Sequence, residues 1–264
     1  MSSIGFYTEQ IFNHSPNLIY SLGIRCDAEM SLRRLGLRRI SSAVGSFDSR
    51  SISTVIHAVS TDYAWIVDKS RLRKSPSNPP KTFISGYLDD FSESNAIAQH
   101  HDLSDEKTLH HFHRARDRFI SISRTRLPTL FFLSIKSADM STVLVEDIRL
   151  LYSVLKSKFN CSLLVQLYLK DSMTASSFIS RNGRTTPFSF LRLSNICLDS
   201  PPILVSHEIA VEDESLVVSV CSSLDSRLEH RKIQPMILRS VFTALNVSTH
   251  NLFSHELLLD FLGG

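Results

Sequence analysis

The run Thr129-Leu130-Phe131-Phe132-Leu133-Ser134-Ile135 is followed by an amphipathic stretch and then by Ser162-Leu163-Leu164-Val165-Gln166-Leu167-Tyr168-Leu169. Both runs have strand length and are apolar almost throughout, the pattern of strands covered on two faces. Between them, Val143 to Phe159 carries Ile148, Leu151, Tyr152, Leu155 and Phe159 at helical spacing. A strand, a helix and a second buried strand mark a parallel pair joined by a crossover helix. The unit predicts an α/β fold, with a central, largely parallel sheet flanked by helices.

Upstream, a long helix is predicted from about Ser104 to Ser123, entered through His101-Asp102. Its apolar face is Leu109, Phe112, Phe119 and Ile120, and its other face is dense in Arg and His. Further back, Asn17-Leu18-Ile19-Tyr20-Ser21-Leu22 reads as a buried strand ending at Gly23. Cys26 then opens a helix with Ala28, Leu32 and Leu35 on one face. Asp27 and Glu29 suit the positive end of its dipole, Arg33 and Arg34 the negative end, and Gly36 the C′ position. Ser51 to Val59 carries a second short helical pattern. Ser41 to Ser49 reads as loop, the proline-rich and basic Ser70 to Lys81 as exposed loop, and Thr82 to Phe91 as a short strand and turn. Downstream, strands are expected at Phe188–Cys197, Ile203–Val211 and Ser215–Val220, and closing helices at Gln234–Leu245 and Ser254–Phe261. No repeat or long linker interrupts the chain. Residues 1–17 read as an N-terminal leader and residues 18–264 as a single α/β domain.

Composition narrows the function. A chain of 264 residues with 42% hydrophobic side chains builds a core without staples. A net charge of +3 is too mild for a nucleic-acid partner, which calls for a concentrated basic footprint. Eight scattered glycines write neither of the common glycine-based nucleotide cradles, and no cofactor is implied. The four cysteines form no C-x-x-C and read as reduced thiols. The N-terminus has no basic start and no apolar core of a secretory signal, and no run of about 18 apolar residues occurs, so no membrane span is expected. A cytoplasmic location fits. Export without a cleaved signal peptide fits too, given 43 serines, several of them near the N-terminus.

Cys26 stands apart chemically. A thiol at a helix start feels the positive end of the dipole and unpaired backbone N–H groups, which favour the thiolate nucleophile. Arg25 adds positive charge, and the same amides can stabilise an oxyanion. Cys161, Cys197 and Cys221 fall in apolar strand patterns and read as core.

The opening Ser21-Leu22-Gly23-x-x-Cys26, followed by Leu32-Arg33-Arg34-Leu35-Gly36-Leu37-Arg38, resembles that of a family of bacterial proteins regarded as papain-like cysteine peptidases. A Pro-Phe-Asp-Trp element of that family is matched by Ser46-Phe47-Asp48-Ser49, with the flanking Pro and Trp replaced. A His-Asp-Phe element is matched by His101-Asp102-Leu103, and an Arg-Arg-x-x-Arg-Phe element by Arg114-Ala115-Arg116-Asp117-Arg118-Phe119. The resemblance covers about residues 18–170. It implies Cys26 as nucleophile, His101 as general base and then acid, and Asp48 or Asp102 orienting the imidazole. Asp48 is preferred, because in an extended segment Asp102 points away from its neighbour His101.

His207, in Val205-Ser206-His207-Glu208, is the alternative base, since a strand histidine well after the cysteine also suits papain-type order. His100, His101, His110, His111 and His113 crowd one region without a recognisable metal-ligand spacing, so no metal is assigned. Arg33, Arg114 and Arg118 are the candidate substrate-binding residues, because guanidinium forks clamp carboxylate or phosphate. Three functions fit. The first is a cysteine-dependent hydrolase or acyltransferase acting on a protein, peptide or small acyl or anionic substrate. The second is a non-peptidase α/β enzyme that binds an anionic or glycan-linked ligand through arginines. The third is a non-catalytic interaction module, such as a secreted factor acting on a host protein.

Overall fold

Side-chain alternation along the apolar runs decides how the chain is layered. The computed structural model describes residues 15–24, 26–43, 45, 48–49, 51–74, 82–84, 96–98, 101–136, 145–169, 189–198, 203–213, 215–223, 235, 237–239, 241–243, 247 and 249–262. In chain order these form β1 (Leu18–Gly23), α1 (Cys26–Arg34), β2 (Asp48–Ser49), α2 (Ile52–Ser60), β3 (Leu72–Lys74), β4 (Thr82–Ile84), β5 (Ala96–Ala98) and α3 (Glu106–Thr125). Then follow β6 (Thr129–Lys136), α4 (Val145–Lys158), β7 (Cys161–Leu169), β8 (Ser189–Leu198), β9 (Ile203–Asp213), β10 (Leu216–Ser223) and α5 (His255–Leu262).

The main sheet has six strands in the order β1-β6-β7-β10-β9-β8. Its first four neighbours are parallel, and β9 and β8 add an antiparallel edge. The predicted parallel sheet is therefore present, with the strands after residue 188 returning as a meander. One face carries Leu18, Tyr20, Leu22, Phe131, Leu133, Ile135, Leu163, Val165 and Leu167, packed with buried residues of α2, α3, α4 and α5. The other carries Ile19, Leu130, Phe132, Leu164, Tyr168 and Val217, covered by Ala28 and Leu32 of α1 and by the helical residues Ile237, Leu238, Val241 and Phe242. The fold is thus a sheet between two helical layers.

Aromatic rings fill the first face. Phe119 meets Tyr63 at 4.5 Å and Phe159 at 4.9 Å between ring centroids, and Phe131 meets Phe159 at 5.0 Å. Such tilted and edge-on pairs are worth about 0.5–1.5 kcal/mol each beyond their buried area. The buried face of α3 is Leu109, Phe112, Ala115, Phe119 and Ile122. The sequence reading put Ile120 there. Ile122 takes that place one turn beyond Phe119, and Ile120 is half-buried at the flank.

Alpha-helix ends follow their sequence signals. Gly36 sits at φ 68°, Leu37 N–H donates to Leu32 O at 2.9 Å, and Gly36 N–H donates to Arg33 O at 3.1 Å. Together these make the Schellman closure of α1. Ser51 caps α2 by accepting from Thr54 N–H. At the far end of α2, Asp62 and Tyr63 both hold positive φ. Lys158, from the end of α4, locks this turn by donating to Val59 O and Ser60 O at 2.9 Å and to Asp62 Oδ1 at 2.6 Å.

A small antiparallel sheet, β2-β5-β4-β3, was not foreseen beyond the strand at 82. The region read as loop at 41–49 ends in β2, and Ser70–Lys81 contributes β3. The rest of that proline-rich stretch, residues 1–14 of the leader, and residues 85–91 lie outside the described residues. The leader's last residue is docked: Asn17 donates from its backbone to Pro128 O at 2.9 Å and accepts from Phe253 N–H at 3.0 Å.

Candidate active site

Parallel strands deliver their ligands at their carboxyl ends, and β1 ends where Cys26 begins α1. A bulge in the β1–β6 pairing between Ser21 and Gly23 loosens the strand just before that exit. Cys26 is half-buried and its thiol is not in a disulfide. Arg25, expected to add charge here, lies outside the described residues. Asp27, at 4% exposure, and Glu29, at 6%, both belong to the first turn.

Glu29 shares a helix face with Cys26 at i, i+3. Its Oε1 meets Arg38 Nε at 2.6 Å, and its Oε2 accepts from Ser42 Oγ at 3.2 Å. Burial pushes the Glu29 carboxyl above its ordinary range, and Arg38 and Ser42 pull it partly back. Ser42 Oγ also accepts from Gly45 N–H at 2.6 Å. A Cβ on Gly45 would stand 2.1 Å from Ser42 Oγ and 2.7 Å from Glu29 Oε2, so a side chain here would have to push both groups aside. Two residues back, Ala43 N–H donates to the Tyr20 hydroxyl at 2.8 Å. Tyr20 packs on the α3 side of the sheet, so residues 38–45 run from α1 on one face to the α3 face. They cover the edge strand β1 as they go, which is how sheets protect exposed edges.

The small sheet holds another of the sequence-predicted residues. Asp48 in β2 pairs with Ile97 of β5 in antiparallel register. His101 follows three residues after β5 ends. Its ring stands edge-on to Phe112 of α3 at 5.3 Å. Asp102 binds the Ser104 N–H at 2.9 Å and the Ser104 hydroxyl at 2.6 Å, a turn that leads into the Asp105 cap of α3.

Basic side chains converge beside the clasp. His111, Arg114 and Arg118 share a face of α3 at i, i+3, i+7. His111 is half-buried and held below its ordinary pKa, first by burial and then by Arg118, Arg114, His101 and Arg38. Arg118 is half-buried too, and its Nε is enclosed without a hydrogen-bond partner among the described residues. Arg114 is exposed at the rim. Arg33 is exposed on α1, on the flank of Cys26 and Glu29.

Other candidates lie elsewhere. His207 is on β9, four strand positions from β1, or about 19 Å at ordinary strand spacing. In register it stands opposite Cys221 of β10, so His207 is placed with that cysteine rather than with Cys26. Cys161 lines a cleft of about 310 Å³ with Arg126 and Lys156, at the opposite end of the strands. Burial pushes its thiol up to about 12. Among the described residues, no three His, Cys, Asp or Glu side chains gather as a metal site, and no helix is long and apolar enough to cross a membrane. His110 and His113 do share a face, with ring centroids 6.3 Å apart. His100 lies outside the described residues.

Sequence reasoning missed Glu29, Arg38, Ser42, Tyr20 and His111 as one group. Glu29 was read only as an acid suited to the helix dipole. Its burial, beside the apolar face of Ala28 and Leu32, was not written in the pattern. No family model, no curated protein and no solved structure matches this chain.

Proposed function

We propose that the protein is a cysteine-dependent hydrolase or acyltransferase with Cys26 as nucleophile, His101 as base and Asp48 as orienting carboxylate. One observation carries this reading. Cys26 is the half-buried first residue of α1 at the carboxyl end of β1, whereas Cys161, also half-buried, begins β7 at the opposite end of the strands, where burial pushes its thiol up. The antiparallel pairing of Asp48 with the strand that leads to His101 supports the choice of partners. In this mechanism the imidazole takes the Cys26 proton, and the sulfur attacks an acyl carbon to form a thioester. The imidazolium then protonates the leaving group, and water or another acceptor resolves the thioester. The backbone amides at the start of α1 are the donors available to the oxyanion. The resemblance to papain-like peptidases agrees with this assignment.

The test is acyl trapping. With p-nitrophenyl acetate, mass spectrometry of the quenched chain should find an acyl group on the Cys26 peptide. Cys26→Ala should abolish it, and His101→Ala should slow its formation on the order of 100-fold. An acyl group carried by another residue, or none, counts against the reading.

A second reading is favoured by the cationic cluster. The protein binds an anionic ligand through Arg114 and Arg118, and Cys26 merely lines the site. It predicts that Cys26→Ala keeps activity while Arg114→Ala loses it.

A further inference from the structure

We infer that His111, Arg114 and Arg118 of α3, together with the face of Arg38 turned away from Glu29, form a binding site for a phosphoryl group. Its place in catalysis rests on the Cys26 reading, but the binding itself does not.

The argument begins with spacing. Residues i, i+3 and i+7 stack along one side of a helix, so these three side chains present donors to one volume. The aromatic core holds that side of α3 in place. Phe112 and Phe119 are fully buried on the adjoining face of α3, and Phe119 packs against Tyr20 at 5.6 Å. Arg38 enters from α1, anchored by its Nε on Glu29, and its Nη2 donates to Ser41. His101 approaches from the segment before α3, on the ring of Phe112.

Charge balance is what points to a ligand. Apart from burial, the groups acting on His111 are the guanidinium groups of Arg118, Arg114 and Arg38 and the His101 ring. Among the described residues, the acids that act on Arg38 and Arg118 are Glu29, already engaged by Arg38 and Ser42, and Asp117, which acts on Arg118 through space without forming an ion pair. Arg118 keeps its enclosed Nε without an acceptor. A buried guanidinium nitrogen with no acceptor is costly, and like charges brought together raise the cost. An oxyanion relieves both at once, and guanidinium forks match phosphate oxygens in pairs. Several converging cationic donors suit a dianion better than a single carboxylate. Because Arg38 is held by Glu29, one turn along α1 from Cys26, a phosphoryl group held there places the remainder of its molecule toward the thiol. The substrate class is therefore an acyl compound carrying a phosphate monoester.

The test is titration of the full-length chain with inorganic phosphate, followed by calorimetry and by histidine ring NMR signals. Phosphate should bind and shift the His111 ring signals. Phenyl phosphate should displace it. Arg118→Gln and the exposed Arg114→Gln should each weaken binding at least ten-fold, while Arg124→Gln, at the far end of α3, should bind like the parent chain. Cys26→Ala should also bind like the parent, so a failure of the catalytic reading leaves this result standing. Absence of a phosphate response, a response undiminished in both arginine variants, an equal response to acetate, or exclusion of phenyl phosphate would overturn the assignment.

Discussion

Removing Glu29 should unfasten the clasp that holds the start of α1 against the edge of the sheet. The side chains of Glu29 and Arg38 are 7% and 28% exposed, with 2.6 Å between Oε1 and Nε. Breaking a buried pair by deleting one partner costs about 3–5 kcal/mol, because the other charge stays buried. Water reaches part of Arg38, so the low end applies, and Glu29→Ala should cost about 3 kcal/mol. For a chain of this size that lowers the melting temperature by roughly 6–12 °C. Urea unfolding followed by Trp65 is the assay. It is the chain's single tryptophan and is 4% exposed in the folded state. Arg38→Ala and the double variant complete a cycle, in which the pair should show a coupling of at least about 1.5 kcal/mol. The pH dependence carries a sign. The folded chain holds the Glu29 proton to higher pH than the unfolded chain does. Its contribution is therefore fully present below the unfolded value near 4.5 and is lost as pH rises through the raised folded value. Glu29→Gln should remove that part of the slope. A loss under about 1 kcal/mol for Glu29→Ala, with no coupling to Arg38, would refute the clasp as a buried ion pair.

Two further outcomes follow from the packing. Tyr20→Phe leaves the Ala43 N–H without its acceptor in a closed space and should cost about 1–3 kcal/mol by the same unfolding assay. A neutral result would mean that water replaces the hydroxyl. Lys158→Met removes two bonds to the end of α2 and the ion pair to Asp62 at a turn of positive φ, and should cost about 2 kcal/mol. It should also raise hydrogen exchange at Thr61–Tyr63, and unchanged exchange there would rule out the locking role.

Long, strongly patterned segments announced themselves. The β6–α4–β7 unit and the β1–α1 exit were readable because burial on two faces writes continuous apolar runs, and because Gly36 and the charged turns punctuate α1. The small sheet was hidden by brevity: β2 has two residues and β3 three, too few for a period. The direction of β8 and β9 was hidden for another reason, since strand pairing is a tertiary choice that alternation does not encode. The clasp was hidden because Glu29 and Arg38 are nine positions apart, beyond any helical spacing, and because Tyr20 in an apolar strand gives no sign that its hydroxyl has a partner. Arg118 looked like one charge among many on a polar helix face. Its enclosed Nε is visible only once Tyr20 and the 38–45 segment are in place.

Alkylation of the native chain at pH 7, read peptide by peptide, tests the central claim most directly. Iodoacetamide should modify Cys26 at least ten-fold faster than Cys161, because thiolate at a helix start reacts and thiol in a buried strand does not. Equal rates at the two cysteines, or faster modification of Cys161, would contradict it.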